Sequence, residues 1–165
     1  MAAFSAAYDD DHAKAVFTTD GKSLKTIAEV AEPDSGFYLQ QSINNAGEVT
    51  FRARLDGNSF EGIYKSDGGP LTTIATTADA QLGGLFSYVS SPVIDDSGLV
   101  AFTGRRRGAP GYGCYVGSGG PLTYITEVDL ALSRVFPPSI NRPEPWPSQQ
   151  TFTKGQASSW AAAVR

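Results

Sequence analysis

"NNAGEVTFRARL" occupies residues 44–55, and "DDSGLVAFTGRR" restates its pattern at residues 95–106. Each opens with two Asn or Asp residues, reaches a glycine, and runs into a strand-like stretch with Phe at the same place. Asn and Asp side chains accept backbone hydrogen bonds, and glycine takes a positive φ without steric cost, so each stretch reads as a turn feeding a strand. Val49, Phe51, Ala53 and Leu55 alternate with Thr50, Arg52 and Arg54. That period of two predicts a half-buried strand.

Working outward, Phe4, Phe51 and Phe102 align. With them align Phe17, Tyr64 and Tyr115; Gly21, Gly68 and Gly119; Leu24, Leu71 and Leu122; and Ile27, Ile74 and Ile125. Ile43 and Ile94 each lie eight residues before their Phe, and Ile140 lies twelve before Phe152, stretched by "RPEPWPSQQ". Self-similarity at this period signals a repeat architecture. The chain divides into repeats at about 1–38, 39–88 and 89–136 with a partial fourth at about 137–165, all within one domain of ordinary size.

Each repeat reads as four short strands. Strand a is "QQSIN", "SPVID" or "PPSIN"; b is "EVTFRARL"; c is "GIYKS" or "GCYVG"; d is "LTTIATT" or "LTYITEV". Strand d breaks strict alternation, because Leu71 and Ile74 stand three apart, so it needs a bulge or burial on both faces. "DGG" and "SGG" make tight c–d hairpins. A long link such as "ADAQLGGLFSYV" (78–89) leads to the next strand a. The expected fold is all-β, with four-stranded antiparallel repeats of β-propeller type and the Phe, Leu and Ile columns in the core. A β-trefoil is the alternative.

Composition narrows the function. Of 165 residues, 41% are hydrophobic and 18% charged, a globular balance. The formal net charge of −4 argues against nucleic acid, whose phosphates demand clustered Lys and Arg. No apolar run approaches the roughly 20 residues that span a bilayer, so no membrane insertion is expected. The N-terminal stretch lacks the charged and apolar regions of a signal peptide. Cys114 is the one cysteine, which excludes an intrachain disulfide and a multi-cysteine metal site.

"NNAGEVTF" and "DDSGLVAF" resemble the N-x-x-G-x-x-A-F tandem-repeat proteins of bacteria, often described as repeat proteins with a choice of C-terminal anchor. The first has Thr50 in place of Ala; the second has Asp95 for Asn and keeps Ala101-Phe102. The first copy keeps Ala3-Phe4, and the third keeps Asn141 without the Gly. The resemblance implies an extracellular or cell-surface location and leaves the activity unsettled.

Candidate sites lie mainly in loops. Asp9, Asp10, Asp11 and His12 form the most polar cluster, and oxygen-rich loops suit Ca²⁺. The alternating spacing of a calcium loop is absent, and the other copies place "DGNS" and "RGAP" there. That favours a variable surface loop. His12 is the sole histidine, so any histidine relay must use it. Cys114 shares a column with Val16 and Ile63, as a small buried hydrophobe would. No catalytic residue is assigned. Arg105, Arg106 and Arg107 form the one basic cluster and could hold carboxylates or an acidic glycan. Trp146 and Trp160 stand outside the repeating core columns, where an aromatic face could stack on a sugar or anchor a protein.

These residues point to a non-catalytic binding or scaffold module, with variable loops on a repetitive β frame and a carbohydrate or protein ligand. The alternative is an enzyme or metal-binding protein built on the Asp9–His12 loop. The first repeat opens at strand b and the last stops within strand c, so unpaired edges favour self-association as a dimer or larger homo-oligomer.

Overall fold

The computed structural model describes residues 1–8, 13–30, 36–55, 60–78, 84–128 and 137–140. These residues contain twelve strands and no helix. A first sheet holds β1 (Ala2–Tyr8), β2 (Ala13–Thr19) and β3 (Leu24–Val30) in that order. The second holds β4 (Gly36–Ile43), β5 (Val49–Arg54), β6 (Gly62–Ser66) and β7 (Thr72–Thr76). In the third, β8 (Phe86–Val89) and β9 (Val93–Ile94) both pair with β10 (Val100–Arg106), which is followed by β11 (Tyr112–Gly117) and β12 (Thr123–Val128). Every pairing is antiparallel between chain neighbours, except that β8 reaches past β9 to β10.

The aligned columns meet across the strands. Phe4 pairs with Phe17, Phe51 with Tyr64 and Phe102 with Tyr115. The irregularity expected in strand d is a bulge, and it sits at one column in all three sheets. Val16 faces Ala28 while Phe17 faces Thr26; Ile63 faces Ala75 while Tyr64 faces Thr73; Cys114 faces Thr126 while Tyr115 faces Tyr124. The residues skipped are Ile27, Ile74 and Ile125. An extra residue bends the strand and turns its side chain. Ile27 and Ala28 are accordingly buried in succession, as are Ile74 and Ala75.

Two apolar clusters join consecutive sheets. Val16, Ile27 and Ala28 of the first sheet pack with Val49, Phe51 and Ala53 of the second. Ile63, Ile74 and Ala75 of the second pack with Phe86, Val89, Ile94, Val100, Phe102 and Tyr115 of the third. The second sheet is thus covered on both faces. For that reason β5 is not the half-buried strand its alternation predicts: Thr50 is fully buried, its hydroxyl donating to the Tyr64 carbonyl at 3.0 Å. Arg52, on the same face, pairs with Glu61 and lies over the Tyr88 ring at 5.4 Å.

Two further expectations need correction. The Leu column is not core throughout, since Leu24 is 61% and Leu71 41% exposed. Each precedes the bulge at the start of the end strand, and the isoleucine three residues on takes the buried place. The stretch read as a long link before "SPVID" contains β8, whose Phe86 and Val89 are buried. Its apolar residues pair with the far end of β10, so strand a of this sheet is longer than its motif and broken around Ser90–Pro92.

The two motif turns are built alike and touch one another. Asn44 N–H donates to Glu48 O and Gly47 N–H to Asn44 O, while Asp95 N–H donates to Leu99 O and Gly98 N–H to Asp95 O. The Asn44 Oδ1 accepts from Glu48 N–H, as the Asp95 Oδ1 does from Leu99 N–H. Gly47 and Gly98 hold φ of +86° and +80°, which glycine takes most readily. Between turns, Asn44 Nδ2 donates to Asp95 O at 3.1 Å, and Asp96 accepts from both the backbone and the side chain of Asn45. Lys65 closes the contact by donating to Gly98 O and pairing with Glu48, both at 3.1 Å.

Candidate functional site

The three arginines at the end of β10 do not converge: Arg105 and Arg106 close the strand, where its register with β8 shifts, and Arg107 stands in the turn beyond. Arg105 lies over the Tyr112 ring at 5.9 Å and donates from Nε to the Ser87 hydroxyl. Arg107 donates from Nη2 to the Thr77 and Ala78 carbonyls at 2.6 and 2.9 Å, tying the β10–β11 turn to the second sheet. Arg106 lines an open recess of about 320 Å³ with Tyr112, Gly113, Tyr115, Tyr124 and Glu127.

A glycine pair makes room for the rings around it. Gly104 and Gly113 stand opposite each other on β10 and β11. A Cβ on Gly113 would lie 2.6 Å from the Tyr124 ring and 2.9 Å from the Tyr115 hydroxyl; one on Gly104 would lie 2.9 Å from the Phe86 ring. Rings fill the dent that the missing side chains leave. Tyr115 stacks on Phe102 at 5.6 Å and is 5% exposed, so it forms a buried wall. Tyr124 contacts Tyr115 at 5.4 Å yet is 52% exposed, so its ring is presented outward.

Tyr112 is held from two sides. Its ring meets Tyr88 edge to face at 5.7 Å, while Arg105 covers it and Arg52 covers Tyr88. Alternating cations and aromatic rings attract through the ring quadrupole, and this row holds Tyr112 against β8 and the second sheet. Burial pushes the Tyr115 hydroxyl pKa up, with Arg106 pulling against it. Burial and the Glu127 carboxylate raise that of Tyr124. Both phenols therefore stay protonated at neutral pH and can donate as well as accept hydrogen bonds. Cys114, half-buried behind this face, has its thiol pKa raised by burial, which holds it as the unreactive thiol.

Sequence reasoning singled out Arg106 here and missed most of its partners. Tyr115 was assigned to the core, where it does sit, while Tyr112, Tyr124 and Glu127 drew no notice. A signal was present: the second copy holds Glu61 and Thr73 in the columns of Tyr112 and Tyr124, so the third copy exchanges two polar residues for aromatic ones, and it sets Glu127 where the second has Thr76. Asp9, Asp10, Asp11, His12, Trp146 and Trp160 lie outside the described residues. Among the described residues, no three His, Cys, Asp or Glu residues group as metal ligands would, and no helix is long and apolar enough to cross a membrane.

A second recess, of about 560 Å³, opens where β1, β4 and β9 approach one another. Ala3 of β1, Gln41 and Ser42 of β4, Val93 of β9 and Pro137 line it.

Fold and site together define, among the described residues, three antiparallel sheets joined by two apolar clusters, with an aromatic recess on the third. The chain belongs to a family of unknown function (DUF7453), whose model matches residues 1–135. No curated protein and no solved structure matches it.

Proposed function

We propose that this protein is a non-catalytic binding module, a tandem array of propeller-type blades that presents its outer turns to a carbohydrate or protein ligand. The observation that carries the reading is the recess of Arg106, Tyr112, Tyr115, Tyr124 and Glu127. Concave aromatic walls with a few polar groups are the usual form of a binding site.

The blade reading rests on the three sheets sharing the b–c–d strand order, the bulge position and the paired columns, with a strand a before b in the second and third. Self-association belongs to the same reading: β1 forms one edge of the first sheet, and an uncovered edge can template a further strand.

The test is a screen of the immobilised protein against glycan and peptide arrays, repeated with Tyr112→Ala/Tyr124→Ala. Saturable binding that the double variant loses, with its melting temperature little changed, is the expected result. Binding that the double variant retains in full, or product release from any array compound, overturns it.

A further inference from the structure

We propose that the recess on the third sheet takes a neutral sugar unit of a glycan chain, stacked on Tyr124 with its ring hydroxyls between Arg106 and Glu127. This rests on the binding-module reading and names the ligand of that site.

Three features of the recess select this chemistry. The first is the platform. Tyr124 exposes half of its surface while its contact with Tyr115 holds the ring in place. A fixed, half-exposed aromatic face suits the flat C–H face of a pyranose, and ordering it costs little because it is already ordered.

The second is charge. Arg106 lies two residues beyond Gly104 on β10, and Glu127 pairs with Gly113 on β12. One cation and one anion thus flank the Gly113–Tyr115 line of β11 from the two neighbouring strands. A recess of zero net charge gives no advantage to an acidic sugar, a phosphate or a basic peptide, since one flanking group repels each. Guanidinium only donates and carboxylate only accepts. Adjacent sugar hydroxyls can accept from one and donate to the other, a match that an apolar side chain lacks.

The third is shape. About 320 Å³ lies at the small end of ligand pockets, roughly 300–1,000 Å³. An open recess of this size holds one unit of a chain and lets the rest pass. Tyr115 and Tyr124, both in its lining, add hydroxyls that donate and accept.

The experiment is a titration of the ¹⁵N-labelled full chain with four neutral tetrasaccharides (cellotetraose, xylotetraose, maltotetraose and chitotetraose). Oligogalacturonate and a proline-rich peptide run beside them, with the Gly113 and Glu127 amides as readout. At least one neutral tetrasaccharide should shift both amides saturably. Tyr124→Ala should weaken that binding at least about tenfold, and Arg106→Lys, which keeps the charge but loses the fork of donors, should weaken it less. Tyr124 is exposed, so its loss leaves the fold intact, and an unchanged amide spectrum elsewhere verifies that.

If the peptide shifts these amides and no sugar does, the sugar assignment falls and the binding reading stands. If a sugar binds but shifts only amides distant from the recess, the assignment falls also. If no probe moves Gly113 or Glu127, both the assignment and the recess as a binding site are overturned.

Discussion

The two junctions between sheets use the same columns and finish them differently. Between the first and second sheets, Phe51 packs against Val16, Ile27 and Ala28, with Val49 and Ala53 beside it. Between the second and third, Phe102 meets Phe86 and Tyr115, and the three rings contact one another at 4.9–5.6 Å. The second junction is also bridged by the paired motif turns, by Arg107 and by Arg52 over Tyr88. One repeat column therefore specifies which face a residue takes, while the facing sheet decides what that residue contributes. Phe4 makes the point most plainly. It shares its column with Phe51 and Phe102, both fully buried, yet is 40% exposed. The face it occupies lies opposite Ala3 and Val16, which pack toward the second sheet.

The largest expected effects test this difference. Phe102→Ala removes a ring from the aromatic junction and should cost about 3–5 kcal/mol, with Phe51→Ala in the same range. Phe4→Ala should cost about 1–2 kcal/mol, since part of its surface is already in water. Urea denaturation of the three variants measures the gap. Equal losses at all three positions would mean that column identity, and not the facing sheet, sets the energy.

The next effect tests whether the turn contacts strengthen the second junction. Asn44 and Asp95 occupy one motif position and cap their turns with the same acceptor oxygen. Asn44 also donates through Nδ2 to Glu48 Oε2 at 2.9 Å and to Asp95 O. Asn44→Asp deletes both donors and sets a second carboxylate beside Glu48, so it should cost about 1–3 kcal/mol. Asp95→Asn keeps the acceptor and should cost under about 1 kcal/mol. A thermal melt of each variant, at matched ionic strength, separates them. Equal costs would show that the inter-turn bonds add nothing beyond the cap.

Much of this was legible in the chain because turns and strands are local. The Asn/Asp-x-x-Gly turns, the b, c and d strands and the bulge in d all follow from spacing over a few residues. The double burial of β5 was not, since Thr50 is covered by a sheet formed some forty residues later and nothing nearby in sequence reports it. β8 was hidden for a related reason: Gly84, Ser87 and the Ser90–Pro92 break make "LGGLFSYVSSP" read as a loop, and only its partner β10 makes a strand of it. The recess was partly visible as the arginine cluster. Its aromatic half came from Tyr112 and Tyr124, unremarkable until pairing sets β12 beside β11 and Gly113 admits the Tyr124 ring.

The smallest expected effect lies in the first sheet and concerns pH. In the β2–β3 hairpin, Asp20 Oδ1 accepts from the Lys22 and Ser23 backbone N–H groups at 2.8 Å and from the Ser23 hydroxyl at 3.1 Å. In the second sheet's corresponding hairpin, Asp67 accepts from Gly69 N–H at 3.0 Å. The Ser23 backbone bond, followed by that of Lys22, favours the charged carboxylate and lowers the Asp20 pKa below its ordinary 3.8. A depressed folded pKa means that folding is favoured while the group is ionised. The contribution is fully present above the unfolded value and fades as pH falls through the folded one. Asp20 is fully exposed, so solvent screening keeps the effect small. Carboxyl ¹³C titration should place Asp20 below the usual aspartate range. The difference in melting temperature between the native chain and Asp20→Asn should be present at neutral pH and shrink on acidification. An ordinary titration midpoint, or a difference that persists undiminished in acid, would show that the hairpin gains nothing from the charge and is held by backbone geometry alone.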